Sequence, residues 1–248
     1  MKRKKSVSKK YQAKSIRTGI VRELKRHIDD RYRKGAEAYF REGIVLYGVR
    51  SANVRKIAAN FFRKINKEKK KIIFSLCEDL LRSEYSEEKT IAFAWAYRLH
   101  RQYAPEDFQI FEAWLEKYVS NWGACDDLCR HAFGSFIHKY PEFLPDVCAW
   151  TSSKNRWQRR GAAVILIYSL REGEHLEFAF KIADALLLDR DYLVQNGYGW
   201  MLKDASLVFP SQVFDFVKRH KREMPRRALR YAIERFSPEQ KCQLMATG

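Results

Sequence analysis

Four polar stretches open helical segments at a nearly constant interval, and no other feature of the sequence constrains the fold as tightly. They are Asn121-Trp122, Asn155-Arg156-Trp157, Arg190-Asp191-Tyr192 and Lys221-Arg222-Glu223, 31 to 36 residues apart. A period of this length holds two helices and a turn. One such pair cannot bury its own apolar face, so neighbouring pairs must stack, which is the pattern of an α-solenoid of the HEAT or armadillo type. Apolar residues also recur at helical spacing elsewhere, in Val54, Ile57, Ala58, Phe61 and Phe62, and in Phe178, Ile182, Ala185 and Leu186. The segments between breakers such as Gly48, Pro141, Gly173 and Pro210 run roughly 12 to 17 residues, an ordinary helix length. With 11 Gly and 6 Pro in 248 residues, the chain lacks the tight turns of an all-β fold. No Gly-rich loop follows an apolar strand-like run, which argues against an α/β nucleotide binder. The sequence therefore predicts an all-α fold, an α-α superhelix of antiparallel helix pairs. It assigns residues 15–248 to a single repeat domain and residues 1–14 to a basic, disordered arm.

The charge balance narrows the function. The chain carries 48 Lys+Arg against 30 Asp+Glu, a formal net charge of +18. Each Lys or Arg that neutralises a phosphate releases a condensed counterion, so an excess this large points to nucleic acid. An acidic membrane surface would call for an amphipathic anchor, and the longest apolar runs, such as 162–168, fall far short of the ~20 residues that span a bilayer. The basic N-terminus lacks the apolar stretch of a secretory signal. Five cysteines, at 77, 125, 129, 148 and 242, are an odd set for a disulfide framework. Cys125, Cys129 and His131 match no common zinc spacing, so the thiols read as buried packing residues and no metal site is expected. The expectation is a cytoplasmic, nucleoid-associated monomer with no cofactor, no membrane contact and no obligate protein partner.

Stacking equivalent helices brings their first turns side by side. The first helix then offers Trp122 and Asp126, the second Trp157 and Arg160, the third Tyr192, Asn196 and Trp200, and the fourth Arg226, Arg227 and Arg230. Trp122 and Asp126 are four apart and share a face, about 40° apart around the axis, whereas Asp127 points about 140° away. Arg160 shares the face of Trp157, three residues before it, and Arg159 does not. A surface that only bound phosphate would have no use for the carboxylate. Equally, Asp126 could sit in its first turn for the helix dipole, and Arg160 could pair with it as a structural ion pair. Trp95, Trp114 and Trp150 read as core.

These stretches resemble the DNA alkylation repair enzyme family, the AlkD-like glycosylases that excise 3- and 7-alkylated purines. The resemblance runs from about Tyr39 to Phe236 and rests on YGVRSANVRKIA (47–58), SNWGACDD (120–127), NRWQRRGAA (155–163), YLVQNGYGWMLKD (192–204) and PRRALRYAIERF (225–236) taken together. It implies a HEAT-like fold, no metal or organic cofactor, and double-stranded DNA containing alkylated purines as the partner. It also implies Asp126, Trp122 and Trp200 as catalytic residues, Arg160 as a phosphate contact, Arg55 as a backbone contact and Tyr39 as a groove-lining residue. Trp157, Arg226, Arg227 and Arg230 join the expected DNA-binding set. The family commonly reads Trp-Asp-x-Val-Asp, where this chain has Gly123, Ala124 and Cys125 between the two key positions. The expected activity is hydrolysis of the N-glycosidic bond by a monofunctional glycosylase of base excision repair, leaving an abasic site. The alternative is a non-catalytic HEAT-repeat protein that binds damaged or distorted DNA.

Overall fold

Short polar side chains (Asp29, Asn121, Asn155, Asp191 and Ser237) take up free N–H groups where five of the described helices begin. The structure, a computed structural model, describes residues 15–246, and the arm expected over 1–14 lies outside the described residues. Among the described residues there is no strand; two isolated bridges pair Ile28 with Val49 and Val45 with Tyr85. The all-α expectation holds. Contacts within the chain gather into two compact units, one up to Tyr103 and one from Ala104 onward.

The first unit contains α1 (15–25), α2 (Asp30–Tyr39), α3 (Ser51–Ile65), α4 (Lys70–Leu81) and α5 (Ser86–Arg98). Ile20, Leu24, Ile57, Ile73, Leu80, Ile91 and Trp95 fill its core. Trp95 is fully buried and donates its indole N–H to the Ala58 carbonyl at 2.8 Å, which ties α5 to α3. The loop leading into α3 is fixed by two buried carboxylates at the start of α5. Glu87 accepts the backbone N–H groups of Tyr47, Gly48 and Val49 at 3.0, 2.9 and 3.0 Å. Glu88 accepts from Arg17, the Tyr47 hydroxyl and the Ser83 hydroxyl. Gly48 turns at φ +93°, and a Cβ there would lie 2.7 Å from Arg33 Cβ, so only glycine fits the turn.

The second unit begins with α6 (Asp107–Tyr118) and a continuous helical rod made of α7 (Trp122–Asp127), a wider π-helical segment (Leu128–Phe133) and α8 (Gly134–Lys139). Then come α9 (Leu144–Ala149), α10 (Arg156–Arg171), α11 (Leu176–Ala185), α12 (Tyr192–Ala205), α13 (Pro210–His220), α14 (Arg226–Ala232) and α15 (Pro238–Met245). The α8 rod, α10, α12 and α14 pack side by side as one layer, with α11 and α13 behind them, so successive helix pairs stack in the HEAT-like manner. The four helices of this layer begin at residues 122, 156, 192 and 226, intervals of 34, 36 and 34. Asn121, Asn155 and Asp191 cap the first three through their side chains. The fourth opening is corrected from Lys221 to Arg226: Pro225 disfavours helical backbone at Met224, so the helix starts only after the proline. Trp114 and Trp150 are core, among Phe108, Phe111, Phe133 and Phe136. No described helix is long and apolar enough to cross a membrane.

Candidate active site

The Asn121 side chain accepts the Ala124 N–H at 2.9 Å, and this cap sets where α7 begins. Trp122 then occupies the first turn and Asp126 the second, on one face. Gly123, Ala124 and Cys125 between them are all helical, so the departure from the family's usual residues leaves this spacing intact.

Asp126 meets Arg160 from the neighbouring α10. Arg160 Nε donates to one carboxylate oxygen and Nη2 to the other, both at 2.9 Å, while Nη1 donates to the Leu193 carbonyl of α12 at 2.5 Å. One guanidinium thus joins three successive helices of the layer. Gly197 makes room for it, since a Cβ there would stand 3.2 Å from Arg160 Cγ and 3.5 Å from Nη1. The Arg160 side chain is 5% exposed and that of Asp126 17%, so Asp126 is the more exposed member of the pair. Burial pushes the Asp126 carboxyl above the usual carboxylate range, against the charge and hydrogen bonds of Arg160 and the charge of Arg130. Burial also works against the charge on Arg160, but Asp126 outweighs it and holds the guanidinium protonated.

This geometry bears on two expectations. Arg160 does not stand out toward a phosphate; all three of its nitrogens are engaged inside the layer, and it holds Asp126 in place. The structural ion pair left open by the sequence is the arrangement found. Trp157 is 8% exposed, with the Arg156 guanidinium carbon 5.9 Å from its ring centroid, so little of it faces solvent. Arg159, expected on the other face, pairs there with Asp189 at 2.6 Å.

Trp200 lies on α12, half-buried, with the Arg130 guanidinium carbon 5.4 Å from its ring centroid. Sequence reasoning missed Arg130, although the signal was available. The four-residue rule that joins Trp122 to Asp126 leads from Asp126 to Arg130 when continued forward. On α14, Arg226, Arg227 and Arg230 are exposed, and Arg227 stands 5.3 Å from the Tyr192 ring. Tyr39, at the end of α2 and 72% exposed, and Arg55, exposed on α3, belong to the first unit. Cys125 and Cys129, 4.0 Å apart at sulfur, are fully buried behind Asp126, and burial pushes the Cys129 thiol up, so it stays protonated. Among the described residues no cluster of three His, Cys, Asp or Glu side chains could hold a metal ion.

A layer of stacked helix pairs that carries a mostly buried carboxylate, in a strongly basic chain, defines an α-helical repeat protein. A family profile described as DNA alkylation repair enzyme matches residues 20–236, and the chain belongs to that family. Solved structures agree on the fold. A predicted DNA alkylation repair enzyme from Enterococcus faecalis superposes with a TM-score of 0.75 at 18% identity, covering 86% of this chain and 98% of its own. AlkD2 from Streptococcus mutans gives 0.55 at 22% identity, with 75% of this chain and 90% of its own covered. Smu.31 from Streptococcus mutans UA159 gives 0.56 at 22% identity, over 75% and 98%. A search of curated proteins finds no match to the chain.

Proposed function

We propose that this DNA alkylation repair enzyme is a monofunctional DNA glycosylase that hydrolyses the N-glycosidic bond of cationic N3- or N7-alkylated purines in duplex DNA. The observation that carries the proposal is the Asp126 carboxylate, fixed by two hydrogen bonds from Arg160 and, at 17% side-chain exposure, the more exposed member of the pair. Alkylation leaves the purine positively charged, so the base departs as a neutral leaving group without being protonated by the enzyme. When the C1′–N bond breaks, its electron pair neutralises the base and positive charge develops on the sugar. A fixed carboxylate beside C1′ stabilises that charge and orients the attacking water. The water oxygen bonds to C1′, and its proton passes to Asp126 or to solvent. One carboxylate suffices, unlike the pair an O-glycosidase needs to protonate a poor leaving group. Trp122 and Trp200 supply aromatic faces for the sugar and the cationic base. No lysine is assigned to the site, so the product is an abasic site rather than a cleaved strand.

A second reading, a non-catalytic binder of damaged DNA, draws on the same ion pair, because both Asp126 oxygens already accept from Arg160. Base release from duplexes carrying 7-methylguanine and 3-methyladenine separates the two. We expect release by the wild type and loss of most of it in Asp126→Asn, with duplex binding retained. Equal release by the variant refutes the role of Asp126. Tight binding without release by either protein favours the second reading.

A further inference from the structure

With Arg160 turned inward, the site needs another cation if it is to hold the charged backbone beside a lesion. Arg130 lies in the π-helical segment that directly follows α7. Four residues after Asp126, it falls on the Asp126 face of the rod whether the turn between them is counted as α or as the slightly wider π. It is half-exposed, its guanidinium stands over Trp200, and its charge is felt at Asp126. Its only direct side-chain partner among the described residues is that ring; no carboxylate or carbonyl takes its N–H groups. The neighbouring basic side chains differ in this respect: Arg156 pairs with Asp191, Arg159 with Asp189, Arg160 with Asp126 and Arg171 with Asp204. Of the arginines on the α7 rod and α10, Arg130 is the one left without an ion pair, its planar fork of donors suited to two phosphate oxygens.

We propose that Arg130 is the phosphate-binding residue of the active site, resting on the Trp200 ring until DNA arrives and then turning to a backbone phosphate beside the reacting nucleotide. The exchange has two consequences. The guanidinium gains the charge-assisted hydrogen bonds it lacks in the free protein. Its departure also uncovers the Trp200 face, which then accepts the cationic base or the sugar. Arg130 thus occupies, in the empty site, the place of the positive charge that the substrate brings. That the nucleotide reacts rests on the proposed glycosylase reading, whereas the phosphate contact stands or falls by binding alone.

The test measures equilibrium binding to two duplexes, one undamaged and one carrying a tetrahydrofuran abasic analogue, across a series of salt concentrations. Wild type, Arg130→Ala, Arg130→Lys and Arg160→Met are compared, with base release followed in parallel. Loss of one phosphate contact lowers the slope of log K against log salt by about 0.9. We expect that decrement in Arg130→Ala, with the slope restored in Arg130→Lys, which keeps a point charge. Arg160→Met should keep the wild-type slope while losing base release. An unchanged slope in Arg130→Ala, with the fold verified by circular dichroism, overturns the assignment, as does a lost slope confined to Arg160→Met. If the wild type releases no base but the Arg130 decrement appears, the glycosylase reading fails and the phosphate contact survives. If the wild type binds neither duplex, both fail.

Discussion

The Asp126–Arg160 pair makes a quantitative prediction about stability that is separate from chemistry. Replacing Asp126 by Leu leaves a guanidinium that is 5% exposed with only the Leu193 carbonyl as partner. Breaking a buried ion pair from one side costs about 3–5 kcal/mol, and so little exposure places this variant near 4. Replacing Arg160 by Met leaves Asp126, which retains 17% exposure and can escape by taking up a proton, so the cost should be nearer 3 kcal/mol. A loss of about 3 kcal/mol lowers the midpoint of a chain this size by roughly 6–12 °C. The double variant, with no charge left to strand, should end within about 2 kcal/mol of wild type, because well-packed apolar residues often replace a buried pair without loss. Urea denaturation of the four proteins closes the cycle. Single losses below about 1 kcal/mol, or a double variant that sums the two singles, would refute the view that Arg160 is an internal partner of Asp126.

Three further outcomes follow from other contacts. Gly197→Ala should gain up to about 1 kcal/mol of helix propensity but lose roughly 1–3 by crowding a guanidinium already held by three hydrogen bonds; a net loss on urea denaturation together with slower single-turnover excision is expected, and unchanged values of both count against it. Because burial raises Asp126 above the ordinary carboxylate range, excision should fall on acidification with a midpoint above that range. The sign for stability is the reverse: the protonated carboxyl favours the fold, and that contribution is lost as pH rises through the raised value, so Asp126→Asn should flatten the stability curve in that window. Glu87→Ala strands three buried N–H groups at about 1–3 kcal/mol each before water enters; faster amide exchange at Tyr47, Gly48 and Val49 and a loss of about 3 kcal/mol or more are expected, and native exchange rates there would contradict the account.

Much of this was legible in the sequence because helix openings are local events. Asn121, Asn155 and Asp191 announce their helices through short polar side chains that reach an N–H two or three residues on, and the regular interval between them carries the stacked architecture. Asp126 could be preferred over Asp127 by helical arithmetic alone. What could not be read is how a side chain chooses between partners in different repeats. Arg160 had two destinations, a phosphate outside or a carboxylate 34 residues earlier, and only the distance between α7 and α10 decides. Trp157 shares the pattern of Trp122, but the packing of α10 against its neighbours buries it. The sequence drew no attention to Glu87 and Glu88, because the loop groups they hold, from Tyr47 to Val49, lie some forty positions earlier.

The widened turn at Leu128–Phe133, where the Gly134 N–H reaches back five residues to the Cys129 carbonyl, has a meaning for how a repeat architecture acquires chemistry. In an unbroken α-helix, the face that packs and the face that reacts are locked together, so any change that re-aims one also rotates the other. One residue of slack amounts to about 100° of rotation. Here it separates two phases along a single rod: upstream, Asn121 sets the orientation of Trp122 and Asp126, and downstream, Phe133 and Phe136 keep the orientation demanded by the aromatic core. The offset lets one rod present its reactive face and its packing face at different angles. Removing one residue from the wide turn would place the two halves in a common phase and force them to compete.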